Sequence, residues 1–436
     1  MNAEKIKILI PIEVSSREML YKIYLCNVLT SQGFECFLGS KSEIDFLIEE
    51  FNGFIYIDKG FHKGNSENIH KKIIKNNGVI VSLDEEGAVD FEDGSTLKVR
   101  YSEKLFEASN VVFFWGKYQF QIIKDIIKIK SKCIISGHPR FELLKKEFHF
   151  LYEDDLVTIK KKYGDYILIN TNMGFGNNIR GDEFIVKNYV DRFKNIKKII
   201  NNDKIKLNYF ISLISKLSDL EYNIVVRPHP EEDTKIYKDL FGLKKNIFIT
   251  NYKSVIPWII GCETMIHSDC TTGIESLMLG KKSIAFVPNE LDKEFLTILP
   301  LKASRVIDNE VEILNFIKNK KYNINVVFSD YPWLKNNFNF PGESFEIISQ
   351  AFREFKFITD SNNLKFKGIL LKNMKNNVKI LLRGKDKLIA RKSKDFNYIG
   401  VKEIHSKIVK SNTKFKDNTV NKIFNELYCF KKNRYE

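Results

Sequence analysis

The sequence has no long apolar run and no organised cysteines. No run reaches the ~18 apolar residues of a membrane-spanning helix, and the apolar run within residues 1–10 turns polar at Glu13, too early for a signal peptide. The six cysteines are scattered without a CxxC pair, so we expect neither a disulfide framework nor a zinc cluster. We therefore expect a protein of the reduced cytoplasm without a resident cofactor or metal.

Acidic residues are scarce near the C-terminus. Residues 356–436 hold 21 Lys and Arg against seven Asp and Glu, which supplies +14 of the net charge of +15. A basic segment with Phe and Ile can be attracted to anionic lipid headgroups, by about 1 kcal/mol for each cation near the surface. An ordinary solvated surface is the alternative. Nucleic acid is not an expected partner, because no zinc finger or RNP motif accompanies the charge.

The length and composition favour two folded α/β domains. A chain of 436 residues, 43% hydrophobic and 29% charged, has ample material for two cores. β-Branched runs alternate with helical stretches in both halves, which predicts doubly wound sheets. We predict an N-terminal Rossmann-like domain at 1–160, a C-terminal Rossmann-like domain at 161–355 and a basic C-terminal extension at 356–436. If the two domains face a cleft, their ligands lie at the carboxyl ends of the strands.

The predicted strands follow from these runs. In the first half they are 6–12, 34–39, 53–58, 78–84, 110–116 and 132–137. In the second half they are 165–172, 222–230, 246–250, 264–269 and 282–288, with a helix at 271–280. The loops that follow these strands are the first place to look for chemistry.

One strand of the second half ends in the motif VVRPHP (225–230). The two prolines make a rigid turn, which would project Arg227 and His229 from the carboxyl end of the strand. Both side chains can donate hydrogen bonds to phosphate oxygens, and Pro230 completes the predicted motif. A core or surface histidine without a ligand is the alternative.

A second motif, HSDCTTGIES (267–276), begins a predicted helix. Its hydroxyls and the first helical N–H groups are suited to bind an anion. Glu275 lies one turn further on, where it can accept hydrogen bonds from both ribose hydroxyls of a nucleotide. Each hydroxyl residue alone is also explained as a helix N-cap. The predicted contacts to the nucleotide from this motif are Ser268, Thr271, Thr272, Gly273 and Glu275.

The first half contributes an acidic motif, SLDEEG (82–87), at the end of a strand. A carboxylate there can take the proton of an acceptor hydroxyl or attack an anomeric carbon, which makes Asp84, Glu85 and Glu86 candidate catalytic acids. A solvated acidic turn is the alternative. We expect Arg227, His229 and the helix N-terminus to stabilise the leaving phosphate without a metal.

Four other polar residues follow predicted strands. Glu13 and Arg17 lie in the first strand-to-helix loop, where Arg17 could pair with a sugar carboxylate or the acceptor. Asn170 and Asn172 end the first strand of the second domain, where they line a ligand site or simply turn the chain. We interpret His138, in the motif GHPR, as a structural residue.

Together these motifs resemble GT-B transferases that use cytidine-activated donors. The SLDEEG acids resemble the D/E-D/E-G motif of bacterial sialyltransferases, with Glu85, Glu86 and Gly87 matching it position by position. RPHP and CTTGIES resemble their HP and Ser/Thr motifs, with related forms in Kdo transferases and teichoic-acid glycerophosphotransferases. Across about residues 5–350 the chain is similar to bacterial surface carbohydrate biosynthesis proteins. The segments that carry this likeness are ILIPIEVSSRE (8–18), DEEG (84–87), GHPRFELL (137–144), NTNMGFGN (170–177) and CTTGIES (270–276).

This resemblance implies a GT-B transferase that moves a Kdo-like or nonulosonic sugar from a CMP donor to a surface glycan or lipid-linked acceptor. The protein would be cytoplasmic and peripheral at the inner face of the membrane, with 356–436 as the segment that contacts lipid. A CDP-glycerol- or UDP-sugar-dependent transferase is the first alternative, and a non-catalytic glycan- or membrane-binding protein the second. An epimerase on a UDP-sugar is a weaker third. Retention and inversion are both open.

Overall fold

The computed structural model describes residues 5–61, 64–87, 97, 100–190, 193, 195–320, 326–357, 400–424 and 426–433. These residues form two compact units. Unit 1 comprises the described residues within 1–87, 97–143 and 332–436, and unit 2 those within 144–331. Each unit is built on its own sheet, with helices connecting the strands.

Unit 1 has an eight-stranded sheet in the order β13-β14-β2-β1-β3-β4-β5-β6. Its strands are β1 (Lys7–Ile12), β2 (Glu35–Ser40), β3 (Phe54–Asp58), β4 (Val79–Leu83), β5 (Val111–Phe114), β6 (Lys132–Ile135), β13 (Asn418–Phe424) and β14 (Leu427–Lys432). Strands β1 to β6 are parallel, and β2 and β3 lie on opposite sides of β1. The strand order therefore reverses between β1 and β3, where open sheets bind ligands at their carboxyl ends.

The helices of unit 1 connect these strands. They are α1 (Ser15–Ser31), α2 (Lys41–Leu47), α3 (Asn65–Lys75), α4 (Glu103–Ala108), α5 (Lys117–Lys124), α6 (Pro139–Glu142), α15 (Pro332–Phe338), α16 (Ser344–Arg353) and α17 (Val401–Ser411), with a 3₁₀ turn at Thr413–Phe415. Helix α1 is buried on all sides from Tyr21 to Thr30, because it contacts β2, α17 and β14. A helix that is enclosed in this way has no solvated face, so its polar residues Lys22 and Asn27 are buried and hydrogen-bonded.

The C-terminal segment is part of the fold of unit 1. Strand β14 pairs antiparallel with both β2 and β13, and it places Leu427 opposite Gly39. A side chain at position 39 would come within 2.5 Å of the carbonyl oxygen of residue 426, so the close pairing of β14 requires glycine there. The described part of the predicted basic extension therefore completes the sheet, which differs from the sequence-based division at 355.

Unit 2 has six parallel strands in the order β12-β11-β10-β7-β8-β9. The strands are β7 (Ile167–Asn170), β8 (Ile224–Arg227), β9 (Ile247–Ile249), β10 (Thr264–His267), β11 (Ile284–Phe286) and β12 (Arg305–Ile307). Counted from β7, the order is 3-2-1-4-5-6, the order of doubly wound dinucleotide-binding domains. The order reverses between β7 and β10.

The helices of unit 2 alternate with these strands. They are α7 (Glu153–Tyr163), α8 (Asp182–Tyr189), α9 (Ile196–Asp219), α10 (Lys235–Phe241), α11 (Ile256–Gly261), α12 (Thr272–Met278), α13 (Ile298–Ala303) and α14 (Glu310–Lys318), with 3₁₀ turns at Lys146–Tyr152, Lys293–Phe295 and Phe328–Asp330. The core between the strands and α9 includes Ile169, Phe210, Ile214 and Val226, each 0% exposed.

The predicted fold class, α/β with two Rossmann-like doubly wound domains, is confirmed. The eleven predicted strands are all present within one to three residues of their predicted ends. A GT-B fold also requires the two domains to face each other across a cleft, and this part of the fold class stays a prediction. Across the described part of the chain, no helix combines the length and apolar character needed to span a membrane.

Candidate functional site

The carboxyl edge of unit 2 brings three predicted segments together. Asn170 of β7 lies in register with Arg227 of β8 on one side and with His267 of β10 on the other. Neighbouring strands are about 4.8 Å apart, so the loops after β8 and β10 start about 10 Å apart, with the loop after β7 between them. That distance suits a nucleotide that spans the edge from phosphate to ribose.

His229 lies in the loop after β8 with one ring nitrogen engaged. Its Nδ1 accepts the backbone N–H of Glu231 at 3.3 Å, and its ring packs beside Gly174, where an added Cβ would lie 3.1 Å from Nδ1. Burial lowers the pKa of His229, which favours the neutral ring. A neutral ring whose Nδ1 is an acceptor carries its proton on Nε2, so His229 presents one N–H donor.

Glu232, which the sequence analysis did not select, fixes the position of His229. This carboxylate is 2% exposed and accepts the N–H groups of His229 and Met173, each at 3.0 Å. It also accepts the hydroxyls of Thr171 and Tyr237, each at 2.7 Å. Glu232 thus joins the loops after β7 and β8. The available signal was a carboxylate three residues after the histidine of RPHP.

Arg227 contacts the protein backbone. Its guanidinium donates to the carbonyl oxygens of Tyr252 at 3.0 Å and Lys253 at 2.9 Å, and it lies over the ring of Trp258. Burial lowers its pKa to about 10. These contacts give Arg227 a role in holding the loop after β9, which differs from the predicted projection toward a phosphate. Phosphate binding by Arg227 stays a prediction.

The motif after β10 enters α12, which begins at Thr272. Ser268 is 0% exposed, whereas Thr271, Thr272 and Glu275 are half-buried. Gly273 has a packing reason, because a Cβ at this position would lie 2.5 Å from Nε2 of His267. The contacts of Ser268, Thr271, Thr272, Gly273 and Glu275 with a nucleotide stay predictions.

The remaining candidates of unit 2 occupy different surroundings. Asn170 is 3% exposed, and its amide nitrogen lies 3.1 Å from Sδ of Met265, which places it within the sheet. Asn172 is half-buried in the loop after β7, and Pro230 is exposed. Asn172 is therefore better placed than Asn170 to meet a ligand.

A buried ion cluster, which the sequence analysis also missed, underlies this edge. Lys206 of α9 pairs with Asp269 at 2.9 Å and with Asp203 at 3.2 Å. Burial raises the pKa of Asp203 to about 6, since Lys206 only partly offsets it and Asp269 adds like charge. The signal in the sequence was an Asp and a Lys at apolar-face positions of a helix that also buries Ile199, Leu207 and Phe210.

This raised pKa predicts a pH dependence of stability. Because the folded carboxyl binds a proton more readily than the unfolded one, Asp203 contributes less stability as pH rises from about 4 to about 6. Asp203→Asn removes this dependence. We expect the free energy of unfolding of the variant, relative to the unmodified protein, to rise by roughly 3 kcal/mol over that range. Denaturant titrations at pH 4–7 measure it, with the exposed Asp182→Asn as control; a constant difference would contradict the raised pKa.

The three acids of unit 1 occupy different surroundings at the end of β4. Asp84 is 6% exposed and is clamped by Arg100, whose Nε donates to Oδ2 at 3.0 Å and whose Nη2 contacts Oδ1. Its backbone oxygen accepts Nε1–H of Trp115 at 2.7 Å. Gly87 of the motif packs against that ring, since an added Cβ would lie 3.1 Å from Trp115.

Glu85 is 3% exposed and surrounded by partners. Tyr21 donates its hydroxyl to Oε1, Lys22 lies 3.2 Å from Oε1, and Nε2 of His138 lies 3.5 Å from Oε2. Burial alone would raise its pKa, but Lys22, His138 and Tyr21 outweigh burial and hold it well below the usual value. His138 is itself 1% exposed, in keeping with its interpretation as a structural residue.

Glu86 is the accessible acid, with 49% of its side chain exposed. Arg17 lies 3.3 Å from Oε1 and Arg100 3.0 Å from Oε2. Burial would raise its pKa, but Arg100 and then Arg17 lower it to about 2. Of the three acids, Glu86 is the one that a substrate can reach, and two arginines beside it offer a place for an anionic group.

Glu13 lies at the reversal point of unit 1, in a small pocket lined mainly by charged side chains. It pairs with Lys41 at 3.4 Å and contacts Lys59, and Asp58 and Glu85 line the same pocket. Arg17 stands beside Glu86 as described above. Among the described residues, no group of three or more His, Cys, Asp and Glu side chains is arranged to hold a metal.

No protein-family model and no curated protein matches the chain. Among solved structures, UDP-GlcNAc 2-epimerase from Methanocaldococcus jannaschii in complex with UDP-GlcNAc and UDP is similar over 81% of this chain and 100% of its own, at 12% identity and a TM-score of 0.46. The wall teichoic acid polymerase TagF is similar over 80% of this chain and 88% of its own, at 12% identity and a TM-score of 0.43. UDP-N-acetylglucosamine 2-epimerase from Rickettsia bellii is similar over 80% of this chain and 96% of its own, at 12% identity and a TM-score of 0.44. Likenesses this distant support no inference about activity.

Proposed function

We propose that the chain is a glycosyltransferase that binds a nucleotide-activated sugar at the carboxyl edge of unit 2. One observation carries the proposal. In a sheet of order 3-2-1-4-5-6, His229 stands at the edge where such sheets bind nucleotides, held by Glu232 and with Nε2–H as its remaining donor. A fixed N–H donor at that edge suits a phosphate oxygen, because hydrogen bonds to ionised groups are the strong ones.

We infer that the donor is CMP-activated and that the transferred group is a Kdo-like or nonulosonic sugar. The support is the resemblance of SLDEEG, RPHP and CTTGIES to the three motifs of CMP-sugar transferases. In this assignment His229 and the hydroxyls of Ser268, Thr271 and Thr272 contact the phosphate, and Glu275 accepts the ribose hydroxyls. Glu86, which is exposed and flanked by two arginines, is our candidate for the acid that acts on the acceptor.

The proposed transfer requires the site mainly to stabilise developing negative charge. As the bond from the anomeric carbon to the phosphate breaks, negative charge grows on CMP, and Nε2–H of His229 stabilises it. A carboxylate that removes the acceptor proton gives inversion, and one that first attacks the anomeric carbon gives retention. The acceptor would be a surface glycan or a lipid-linked glycan, and contact with an anionic membrane surface remains part of the proposal.

A nucleotide panel with His229→Ala tests the donor assignment. We expect CMP and CDP to raise the midpoint of thermal unfolding of the unmodified protein, since a ligand at 100-fold its Kd stabilises by about 2.7 kcal/mol. His229→Ala should weaken CMP binding by about tenfold or more, through loss of one charge-assisted hydrogen bond. Calorimetric titration measures the affinity, and the exposed Lys238→Ala is the control for an alanine substitution that removes a nitrogen donor elsewhere in unit 2.

The other outcomes assign other functions. Stabilisation by UDP or GDP and not by cytidine nucleotides would contradict a CMP donor and favour a UDP-sugar-dependent enzyme, and stabilisation by CDP-glycerol alone would favour a glycerophosphotransferase. Absence of stabilisation by every nucleotide would favour the non-catalytic alternative, a protein that binds glycan or membrane.

A further inference from the structure

Three charged side chains form an almost completely buried cluster in unit 2. Asp203, Lys206 and Asp269 are 4%, 3% and 3% exposed, and Lys206 Nζ lies within 3.2 Å of both carboxylates. Asp203 and Lys206 belong to α9, whereas Asp269 follows β10. The cluster thus contains one cation and two anions, and none of them is used in the proposed transfer.

Each carboxylate holds a different loop. Oδ2 of Asp203 accepts the N–H groups of Phe175 at 3.1 Å and Gly176 at 3.4 Å, in the loop after β7. That loop lies directly on α9, because a Cβ at Gly176 would come within 2.7 Å of Asp203 Cβ. Oδ2 of Asp269 accepts the N–H of Thr297 at 3.0 Å and so ties the loop after β10 to the start of α13. Lys206 is the group between the two.

A buried ion cluster is a poor source of stability, because the cost of removing charges from water offsets their attraction. What it provides is fixed geometry, since each charge has only one arrangement in which it is paired. The two loops that meet at Lys206 follow β7 and β10, the strands between which the order of the sheet reverses. They therefore flank the position where the proposed nucleotide binds.

We propose that Lys206 is a positioning residue of the donor site, which couples the loop at 173–177 to the loop at 268–271 through Asp203 and Asp269. The inference rests on the proposed function for the identity of the ligand, while the coupling of the loops stands on the contacts alone. Lys206 acts on a nucleotide only through the loops that it holds. Loss of Lys206 loosens both loops, and loss of Asp203 loosens the first loop directly and the second, to a smaller extent, through Lys206.

Hydrogen exchange in variants of the full chain tests the coupling. In Lys206→Met we expect amide exchange to rise at least tenfold in both loops and at Thr297, beyond any rise in the strands of unit 2. Asp203→Asn keeps the pair of Lys206 with Asp269. If Lys206→Met does not fold, the coupling is tested with Asp203→Asn instead. Asp203→Asn should raise exchange most at Phe175 and Gly176 and by a smaller factor at Thr297, because Lys206 then pairs with Asp269 alone. Unchanged exchange at Thr297 in this variant would overturn the coupling. The control is Lys204→Met, on the same helix, which removes an exposed pair with Asp182.

Affinity for CMP tests the positioning role. We expect Lys206→Met and Asp203→Asn to lower CMP affinity about tenfold, Lys206→Arg to recover part of it, and Lys204→Met to leave it unchanged. Unchanged exchange in the two loops would overturn the coupling, and raised exchange with unchanged CMP affinity would overturn the positioning role. If the unmodified protein binds no nucleotide of the panel, the proposed function and the positioning role fail together, while the exchange data still decide the coupling.

Discussion

Truncation after Phe357 is expected to leave unit 1 unable to fold. The removed segment contributes Val401, Ile408, Leu427 and Phe430, each 0% exposed, and Phe415 at 2%. Burial of a large apolar side chain contributes about 1.5–3 kcal/mol, so five contribute about 8–15 kcal/mol, as much as the whole stability of an ordinary domain. Calorimetry and limited proteolysis of the truncated chain should show loss of the cooperative transition of unit 1.

Charge and structure can be separated within the same segment. Lys431→Gln with Lys432→Gln removes two exposed positive charges and keeps β14 in the sheet, so its unfolding should match that of the unmodified protein. The same charge variants are suited to testing the predicted attraction to anionic vesicles, because they leave the fold intact. A truncated chain that retains an unchanged transition for unit 1 would show that the C-terminal strands are accessory.

Glu85→Ala is expected to cost about 3–5 kcal/mol of stability, the range for removing one partner of a buried ion pair. The substitution leaves the buried hydroxyl of Tyr21 without its acceptor and removes the carboxylate 3.5 Å from Nε2 of His138, and Lys22 keeps only Glu18 and the carbonyl oxygen of Pro11. Denaturant unfolding, followed by the fluorescence of Trp115 and Trp333 in a Trp258→Phe background, reports on unit 1, since both remaining tryptophans lie there.

Glu86→Ala is the matched control and should change stability by less than about 1 kcal/mol, because exposed ion pairs contribute little. If Glu86 is the acting acid, this variant should nonetheless lose transfer while it still binds CMP. A stable Glu85→Ala protein that lacks transfer would instead identify Glu85 as the acting acid, and would contradict the structural role that its contacts indicate.

The three neighbouring acids show that a sequence motif does not identify which of its residues is accessible to a substrate. Asp84, Glu85 and Glu86 are consecutive acids, and the sequence does not show which of them a substrate can reach. Their surroundings come from distant parts of the chain: Arg100 clamps Asp84, α1 and His138 enclose Glu85, and Glu86 is left at the surface. Arg227 is a similar case, since the carbonyl oxygens that it contacts lie 25 and 26 residues away.

The sequence by itself determined the αβ alternation and eleven of the fourteen described strands, all but β12, β13 and β14. A strand buried on both faces must be a short, continuous, β-branched run, and glycine, proline and polar loops mark its ends. The sequence also placed the candidate residues at strand ends, since parallel strands gather their loops at one edge. Tertiary structure alone decided the order of the strands, the return of the C-terminal hairpin to β2 and the roles of Glu232 and Lys206. Those features depend on residues that are far apart along the chain. The role of a buried charged residue follows from the groups that surround it in the folded protein, and the sequence does not show these groups. The basic segment after 355 illustrates the difference. Its charge is visible in the sequence, whereas the place of residues 400–424 and 426–433 in unit 1 follows from β14 pairing with β2.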